Sequence, residues 1–194
     1  MTLKQIAKSI SFILGPYVLL PTLIVSSLFK TGLTQPQQIF LMPLFFFLVI
    51  ILPTGVLYML IRTKKISDWD VRKREERYKI FTVFMASTLL ATIVSYYEAA
   101  PLFFHICLIS WAVVFATSMI TLLWKISAHA VLNTSVFLIV NFLSEWKLPF
   151  LYLLIPVVSW ARYYHKHHSL LQICAGIAIS SLIILSGLYL FGYI

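Results

Sequence analysis

Polar residues that could do chemistry are gathered at three places in a chain that is otherwise rich in apolar side chains. The first is the charged segment from Arg62 to Lys79, the second is Ser127-Ala128-His129, and the third runs from Arg162 to Gln172. Each group lies beside a long apolar run. Ionisable residues at the edge of such runs are functional candidates, because charge at membrane depth is costly to maintain.

The second and third groups have spacings that suit anion binding. His168 and Gln172 are four residues apart, so on a helix the amide oxygen accepts one ring N–H and leaves the other ring nitrogen free. Ser127 opens an apolar run, where its hydroxyl and the free N–H groups that follow can hold an anion. His129 lies within that first turn. We therefore predict an anion site at the start of this helix.

The first group predicts a further set of cations. On a helix, Arg77 lies four residues after Lys73 and three after Arg74, so the three side chains share one face. Ser67 or Asp68 would cap such a helix. We predict a short interfacial helix in this segment.

Composition indicates the environment that must position these groups. The chain has 194 residues, of which 61% are hydrophobic, more than the roughly 45–50% of a soluble domain. The net charge of +9 comes from basic residues in short segments between apolar runs. Anionic membrane lipids or a phosphorylated lipid substrate are therefore favoured as partners, and nucleic acid is not. The oligomeric state stays open.

Apolar length and polar breaks predict an all-α fold, a polytopic membrane bundle of about six to seven helices in a single membrane domain over residues 1–194. The fifth and sixth apolar runs are short, which suits tilted, half-exposed or interior helices. The predicted spans are residues 9–29, 39–61, 79–96, 102–124, 127–143, 148–163 and 170–192.

Charge predicts an orientation for this bundle. Seven spans place the N-terminus, residues 62–79, the turn around Lys125 and residues 162–169 on one face. Every Lys and Arg except Lys30 and Lys147 then lies on that face. Because short loops rich in Lys and Arg resist translocation, we predict that the basic face of this integral membrane protein is cytoplasmic.

At these positions the sequence resembles the type 2 phosphatidic acid phosphatase superfamily, whose pattern is K-x6-R-P, then P-S-G-H, then S-R-x5-H-x3-D. Residues 126–129, Ile-Ser-Ala-His, stand at the second motif. Arg162, His168 and Gln172 keep the spacing of the third, and Gly176 follows at its end. The resemblance covers about residues 65–176, the predicted phosphatase-like core.

The first motif of that family fits in two registers. Lys65 and Arg72 have the K-x6-R spacing, but Lys73 follows them where the family has proline. Arg77 is closer to the next apolar run and has Asp70 in the lysine position. We favour Arg77.

The resemblance implies hydrolysis of a lipid phosphate or diphosphate through a phosphohistidine, without a metal or another cofactor. In that mechanism His168 attacks phosphorus and His129 protonates the leaving oxygen, while Gln172 orients the nucleophile where the family has aspartate. The phosphoryl oxygens would be stabilised by Arg77, Arg162, Ser127, Lys125 and either Lys73 or Arg74.

Gln172 keeps a second interpretation open. An amide can orient His168 but cannot neutralise its charged form, and loss of the orienting carboxylate costs about 10⁴ in turnover in a Ser-His-Asp triad. The alternative is a non-catalytic relative that binds anionic lipid or a protein partner in the same basic pocket. A transporter ranks below both, because the polar residues cluster at the ends of spans.

Three further polar residues come between the arginine and the histidine of the third motif. His165, Lys166 and His167 are interpreted as a solvated basic turn at the interface rather than as a metal site.

Overall fold

The fold is an all-α bundle in a computed structural model that describes residues 2–166 and 168–194, and no β-strand occurs among those residues. The predicted fold class is confirmed. The helices are α1 (Leu3–Ile13), α2 (Pro16–Lys30), α3 (Gln35–Phe46), α4 (Leu52–Arg62), α5 (Arg74–Glu98), α6 (Pro101–Leu123), α7 (Ala128–Leu143), α8 (Leu154–Tyr164) and α9 (Leu170–Leu190).

Five helical stretches of the described chain are long and apolar enough to cross a membrane. Two of them are composite: α1 and α2 run as one stretch, and so do α3 and α4. This supports an integral membrane protein. The five stretches are Leu3–Lys30, Gln35–Arg62, Arg74–Glu98, Pro101–Leu123 and Leu170–Leu190.

The composite stretches bend where glycine or proline interrupts them. A Cβ on Gly15 would lie 2.9 Å from two carbonyl oxygens of the preceding turn, so the close approach between α1 and α2 requires glycine. Between α3 and α4, residues Phe47–Ile51 form a π-helical turn. Pro53 has no N–H to give to the Val49 carbonyl, which accounts for the widened turn.

The two short predicted spans differ from each other in the structure. α7 has 16 residues, most of them buried, and it packs against α2, α6, α8 and α9. It is therefore an interior helix. The sixth span is a 3₁₀ turn, Pro149–Leu153, followed by the 11-residue α8, and it is too short to cross a membrane as one α-helix. Pro156 cannot donate to the Tyr152 carbonyl, which favours the 3₁₀ start.

The prediction of a short interfacial helix between Arg62 and Lys79 is wrong. α5 begins at Arg74 with Lys73 as its N-cap, and the residues before it form turns. Instead of capping a helix, Ser67 donates its hydroxyl to the Glu76 carboxylate over 2.6 Å, and its backbone N–H donates there over 2.7 Å. These two hydrogen bonds hold Ser67 against the first turn of α5. The residues between Ser67 and Lys73 form turns instead of a helix.

The helix termini lie at two opposite ends of the bundle. The starts of α5, α7 and α9 meet the end of α8 at one end, which we call the basic end. There Arg74 donates to the Leu123 carbonyl, and the Ser127 N–H donates to the Gln172 carbonyl. At the opposite end, the far end, Lys30 at the end of α2 donates to Ser144 after α7. The three predicted motifs therefore lie at the same end of the bundle.

Candidate anion site at the basic end

Two buried arginines form the centre of the basic end. Arg77 in the first turn of α5 is 3% exposed, and Arg162 near the end of α8 is 4% exposed. Arg77 donates from Nε to the Val71 carbonyl over 2.9 Å and from Nη1 to the Ile126 carbonyl over 2.8 Å. This guanidinium therefore ties the segment before α5 to the turn before α7.

Arg162 is held differently. Its Nη1 lies 3.6 Å from the Asp70 carboxylate, and its buried Nε has no hydrogen-bond acceptor among the described residues. Asp70 precedes Val71, whose φ of 44° is strained for a β-branched residue. This strained turn offers the Val71 carbonyl to Arg77 and the Asp70 carboxylate to Arg162. A buried guanidinium with an unused donor is suited to receive an anion.

Ser127 begins α7 as its N-cap and is fully buried. Its hydroxyl oxygen accepts the Ala130 N–H over 3.4 Å, so the hydroxyl hydrogen is still able to donate to an anion. Gly176 on α9 makes the approach possible, because a Cβ there would lie 3.1 Å from the Ser127 carbonyl oxygen and 3.3 Å from the Val131 side chain. The glycine at the end of the third motif therefore has a packing role.

His168 has the tautomer that its spacing from Gln172 predicts. Its Nδ1 lies 3.2 Å from Gln172 Oε1, and the Ser169 backbone N–H donates to the same oxygen. Because that N–H can only donate, it identifies the amide oxygen, and the His168 Nδ1 must carry the proton. The lone pair then resides on Nε2, which leaves it free to act as a base or nucleophile.

The surroundings of His168 keep its ring neutral. Burial lowers the pKa of His168 to about 3, and the positive charges of Arg77, Arg162 and Lys125 act in the same direction, while the hydrogen bond that His168 donates to Gln172 opposes the shift. At neutral pH the imidazole is therefore uncharged beside three cations. Such perturbed histidines cluster at functional sites.

His129 and Lys125 lie next to the start of α7. His129 is in the first turn of that helix, and its carbonyl accepts from Asn133, which also donates to the Leu14 carbonyl at the bend between α1 and α2. Burial lowers the pKa of Lys125, and Arg77 and Arg162 lower it further. Both predicted residues therefore belong to the basic end.

Lys73 and Arg74 are engaged elsewhere, although the sequence predicted them as phosphate ligands. Lys73 lies 3.5 Å from the Glu76 carboxylate with a largely exposed side chain, and Arg74 donates to the Leu123 carbonyl over 2.7 Å at the end of α6. Both are at the start of α5, where Arg77 alone of the three turns inward. Their contacts give these two residues structural roles at helix ends.

The turn after α8 contains the remaining polar residues of the third motif. Burial and the charge of Arg162 lower the pKa of His165, and Lys166 is exposed with a φ of 53°. His167 lies outside the described residues. Among the residues that are described, no three His, Cys, Asp or Glu side chains form a group that could hold a metal ion.

A cavity of about 840 Å³ runs from the basic end into the bundle. Its mouth carries Arg77, Arg162, His129, His168 and Asp70, and its deeper wall is formed mainly by apolar side chains of α2, α5, α6 and the π-helical turn. Pockets of about 300–1,000 Å³ with a few convergent polar groups are typical of ligand sites. The deeper wall includes Leu20, Ile24, Phe45, Val49, Phe81, Phe84, Phe103, Ile106 and Val113.

Several hydroxyl groups interrupt this apolar wall. Ser27, Thr117 and Ser135 are each more than nine-tenths buried and line the cavity. Their oxygens, like that of Ser110, have no hydrogen-bond partner in the described part of the chain. Unpaired buried hydroxyls are uncommon and require an explanation. A ligand or water inside the cavity would satisfy them.

Sequence reasoning missed the cavity and the position of Asp70. Asp70 attracted notice only because it stands where a family lysine would be, and nothing in the local pattern pairs it with Arg162, which is far away in the sequence. The cavity hydroxyls are ordinary serines and threonines within apolar runs. Comparisons of the chain with protein-family models, curated proteins and solved structures give no match.

Proposed function

We propose that the chain is a membrane-embedded lipid phosphatase-like protein that hydrolyses a lipid phosphate or diphosphate through a phosphohistidine on His168. One observation carries the proposal: a neutral histidine with a fixed tautomer lies with two buried arginines at the mouth of a largely apolar cavity. Phosphoryl transfer depends chiefly on positioning and on stabilising charge, which these groups supply.

The proposed reaction has two steps. The lone pair on His168 Nε2 attacks phosphorus while the bond from phosphorus to the lipid oxygen breaks, and His129 gives a proton to that oxygen. Water then attacks the phosphohistidine, His129 takes a proton from it, and inorganic phosphate leaves with His168 restored. Arg77 and Arg162 face the charge on the phosphoryl oxygens throughout.

The cavity supports the proposal of a lipid substrate. The anion site alone would serve any phosphate ester, but it opens into a slot with mainly apolar walls, inside helices that can cross a membrane. A hydrocarbon tail matches the apolar lining of that slot. The proposal extends to phosphatidic acid, phosphatidylglycerol phosphate and isoprenoid diphosphates, each of which has a phosphate head and at least one long hydrocarbon tail.

Orientation is part of the proposal. The excess of Lys and Arg at the basic end favours a cytoplasmic location for the site. In a chain without its two native cysteines, Lys64→Cys should react with an impermeant reagent only after the cell membrane is opened, whereas Lys147→Cys should react in intact cells. The reverse pattern would place the site outside.

A second candidate function is binding of anionic lipid without turnover. Two observations favour it: Gln172 provides no negative charge to stabilise a charged His168, and the Asp70 carboxylate already faces Arg162. In this interpretation the same pocket would hold a phosphorylated lipid or an acidic partner and release it unchanged. Gln172→Asp would then be expected to convert binding into hydrolysis.

The deciding experiment measures phosphate release from these lipids by the purified chain in nanodiscs. Hydrolysis should be abolished in His168→Ala and increased in Gln172→Asp. His105→Ala removes a histidine at the far end, where Nδ1 lies 2.8 Å from the Tyr193 hydroxyl, and should leave the rate unchanged. Undetectable release by the natural chain, with thermal stabilisation by phosphate or vanadate, would select the binding function.

A further inference from the structure

Two aromatic rings, which we call the floor, line the cavity at the end farthest from Arg77. Phe45 on α3 and Phe103 on α6 both line it, with ring centroids 5.1 Å apart in an edge-to-face arrangement. Phe103 is 1% exposed, and the pair belongs to a packed cluster that includes Leu28 and Leu41 behind it. Aromatic pairs prefer this edge-to-face geometry, so each ring helps to hold the other in position.

The distance from mouth to floor follows from the helices that line the slot. On α5 the lining residues run from Arg77 to Thr92, which at 1.5 Å per residue corresponds to about 22 Å. On α6, which runs in the opposite direction, they extend from Thr117 to Phe103, or about 21 Å. One leaflet of a bilayer has a hydrocarbon thickness of about 15 Å. The slot is therefore deep enough for the whole tail of an ordinary membrane lipid.

The two ends of the slot indicate the chemistry of the ligand that it would hold. Its mouth offers buried guanidinium groups to an anion, and its interior is mainly apolar down to the aromatic floor. An anionic head joined to one long hydrocarbon tail satisfies both. A tail gains little by leaving a bilayer for an equally apolar wall, so fit and not hydrophobicity decides which tails are accepted.

We propose that Phe103, braced by Phe45, sets the longest hydrocarbon tail that the site accepts. The inference rests on the proposed function only in placing the phosphate at Arg77 and Arg162. With the head fixed there, a tail that reaches the floor cannot extend further without displacing well-packed rings, which is unfavourable. We expect affinity to fall about tenfold for tails a few carbons longer than the slot.

The test uses the full chain in nanodiscs and straight-chain alkyl phosphonates, whose carbon–phosphorus bond resists hydrolysis. A series in two-carbon steps covers tails shorter and longer than the slot, and ³¹P NMR measures binding. Phe103→Leu should move the limit to longer tails by lowering the floor. Ala91→Val, which adds volume at a buried lining position, should move it to shorter tails.

Controls separate this role from general damage. Phe115→Leu removes an exposed ring from the same helix and should leave the limit unchanged. Thermal unfolding verifies that each variant is folded. Binding with no dependence on tail length, or an unchanged limit in folded Phe103→Leu and Ala91→Val, would overturn the role of Phe103 alone. Failure of every phosphonate to bind would overturn the anion site and, with it, the proposed function.

Discussion

The two ends of α7 are completed by different kinds of groups. At the far end the neutral amide of Asn141 donates to the Tyr152 hydroxyl over 2.7 Å and accepts the Leu148 N–H over 2.8 Å. At the basic end Ser127 caps the helix, and the charged Arg77 grips the carbonyl before it. Neutral hydrogen bonds suffice at the far end to tie α7 to the segment that follows it, so the buried charge at the basic end needs another explanation.

Arg162 sharpens that contrast. Unlike Arg77, it donates to no backbone carbonyl of the described residues, and its Nε has no acceptor among them. Burying a cation without full compensation is costly, and replacing it with an apolar side chain would often be neutral or favourable. The proposed anion would supply the missing compensation for this buried cation.

Arg77→Gln is expected to have the largest effect, because Arg77 donates two hydrogen bonds within the fold and is also proposed to bind the anion. Loss of two charged hydrogen bonds should lower the free energy of unfolding by about 3 kcal/mol, and loss of the charge should weaken phosphate or vanadate binding about 100-fold. Tyr152→Phe removes the neutral hydrogen bond at the far end. It should lower stability by about 1 kcal/mol without affecting binding. Denaturant unfolding and anion titration measure both quantities.

Arg162→Gln separates the two roles. It should reduce anion binding as strongly as Arg77→Gln does, with a smaller loss of stability, because Arg162 donates to no backbone carbonyl of the described residues. If Arg77→Gln and Tyr152→Phe affected anion binding equally, the two ends would be equivalent, and the contrast between them would have no functional meaning.

The acid response of His168 is the next largest expected effect. A pKa of about 3 leaves the ring neutral at pH 5, where a histidine of ordinary pKa would be only about one-thirtieth neutral. Binding or turnover that needs neutral His168 should therefore persist to pH 5. At that pH its affinity or rate should be about thirtyfold higher than it would be with a histidine of ordinary pKa. Titration of ¹⁵N-labelled histidine by NMR measures the pKa directly.

The lowered pKa of His168 also makes the free energy of unfolding depend on pH. Because the folded pKa is lower than the unfolded value of about 6.5, the unfolded chain binds more protons as pH falls from 6.5 towards 3. His168 therefore destabilises the fold on acidification through that window. His168→Gln should lose less stability between pH 7 and pH 5 than the natural chain. An equal loss in both would contradict the assignment.

Asp70→Asn tests whether a carboxylate competes with the anion for Arg162. Removing its charge should raise phosphate affinity about five- to tenfold, because the cation no longer has a negative partner 3.6 Å away. Glu145→Gln at the far end removes a carboxylate paired with Lys147 and should leave the affinity unchanged. A fall in affinity in Asp70→Asn would instead make Asp70 a positioning group for Arg162.

Local rules predicted a good part of this site. The cap at Ser127 and the hydrogen bond between His168 and Gln172 depend on spacings within one helical turn, and both are present. The preference for Arg77 over Arg72 in the first motif rested on its position nearer the apolar run, and Arg77 is the buried one of these two arginines. Such features depend on helix geometry alone and can therefore be predicted from the sequence.

Long-range packing explains what could not be predicted. Asp70 meets Arg162 only after the segment before α5 folds back through the strained Val71. The Phe45–Phe103 floor joins residues of different helices, and no periodicity distinguishes them from other buried aromatics. The orientation of Arg74 towards α6 likewise depends on where α6 ends. Contacts of this kind are set by tertiary structure, which single-helix patterns do not contain.

The smallest expected effect comes from the hydroxyls of the cavity wall. Thr117→Val removes a buried hydroxyl that has no partner in the described chain, so stability should rise by about 1 kcal/mol. Thr121→Val on the same helix also removes an unpaired hydroxyl, but Thr121 does not line the cavity, so it should give the same gain. Thermal unfolding of the two variants measures these gains.

Binding then distinguishes the two threonines. If an oxygen of the bound lipid satisfies Thr117, its loss should weaken lipid binding about threefold, whereas Thr121→Val should leave binding unchanged. A residue that destabilises the empty protein and yet supports the complex is difficult to explain as part of the fold. Equal binding in both variants would show that the wall hydroxyls are satisfied by water alone, and selection within the slot would then depend on the anion site and the aromatic floor.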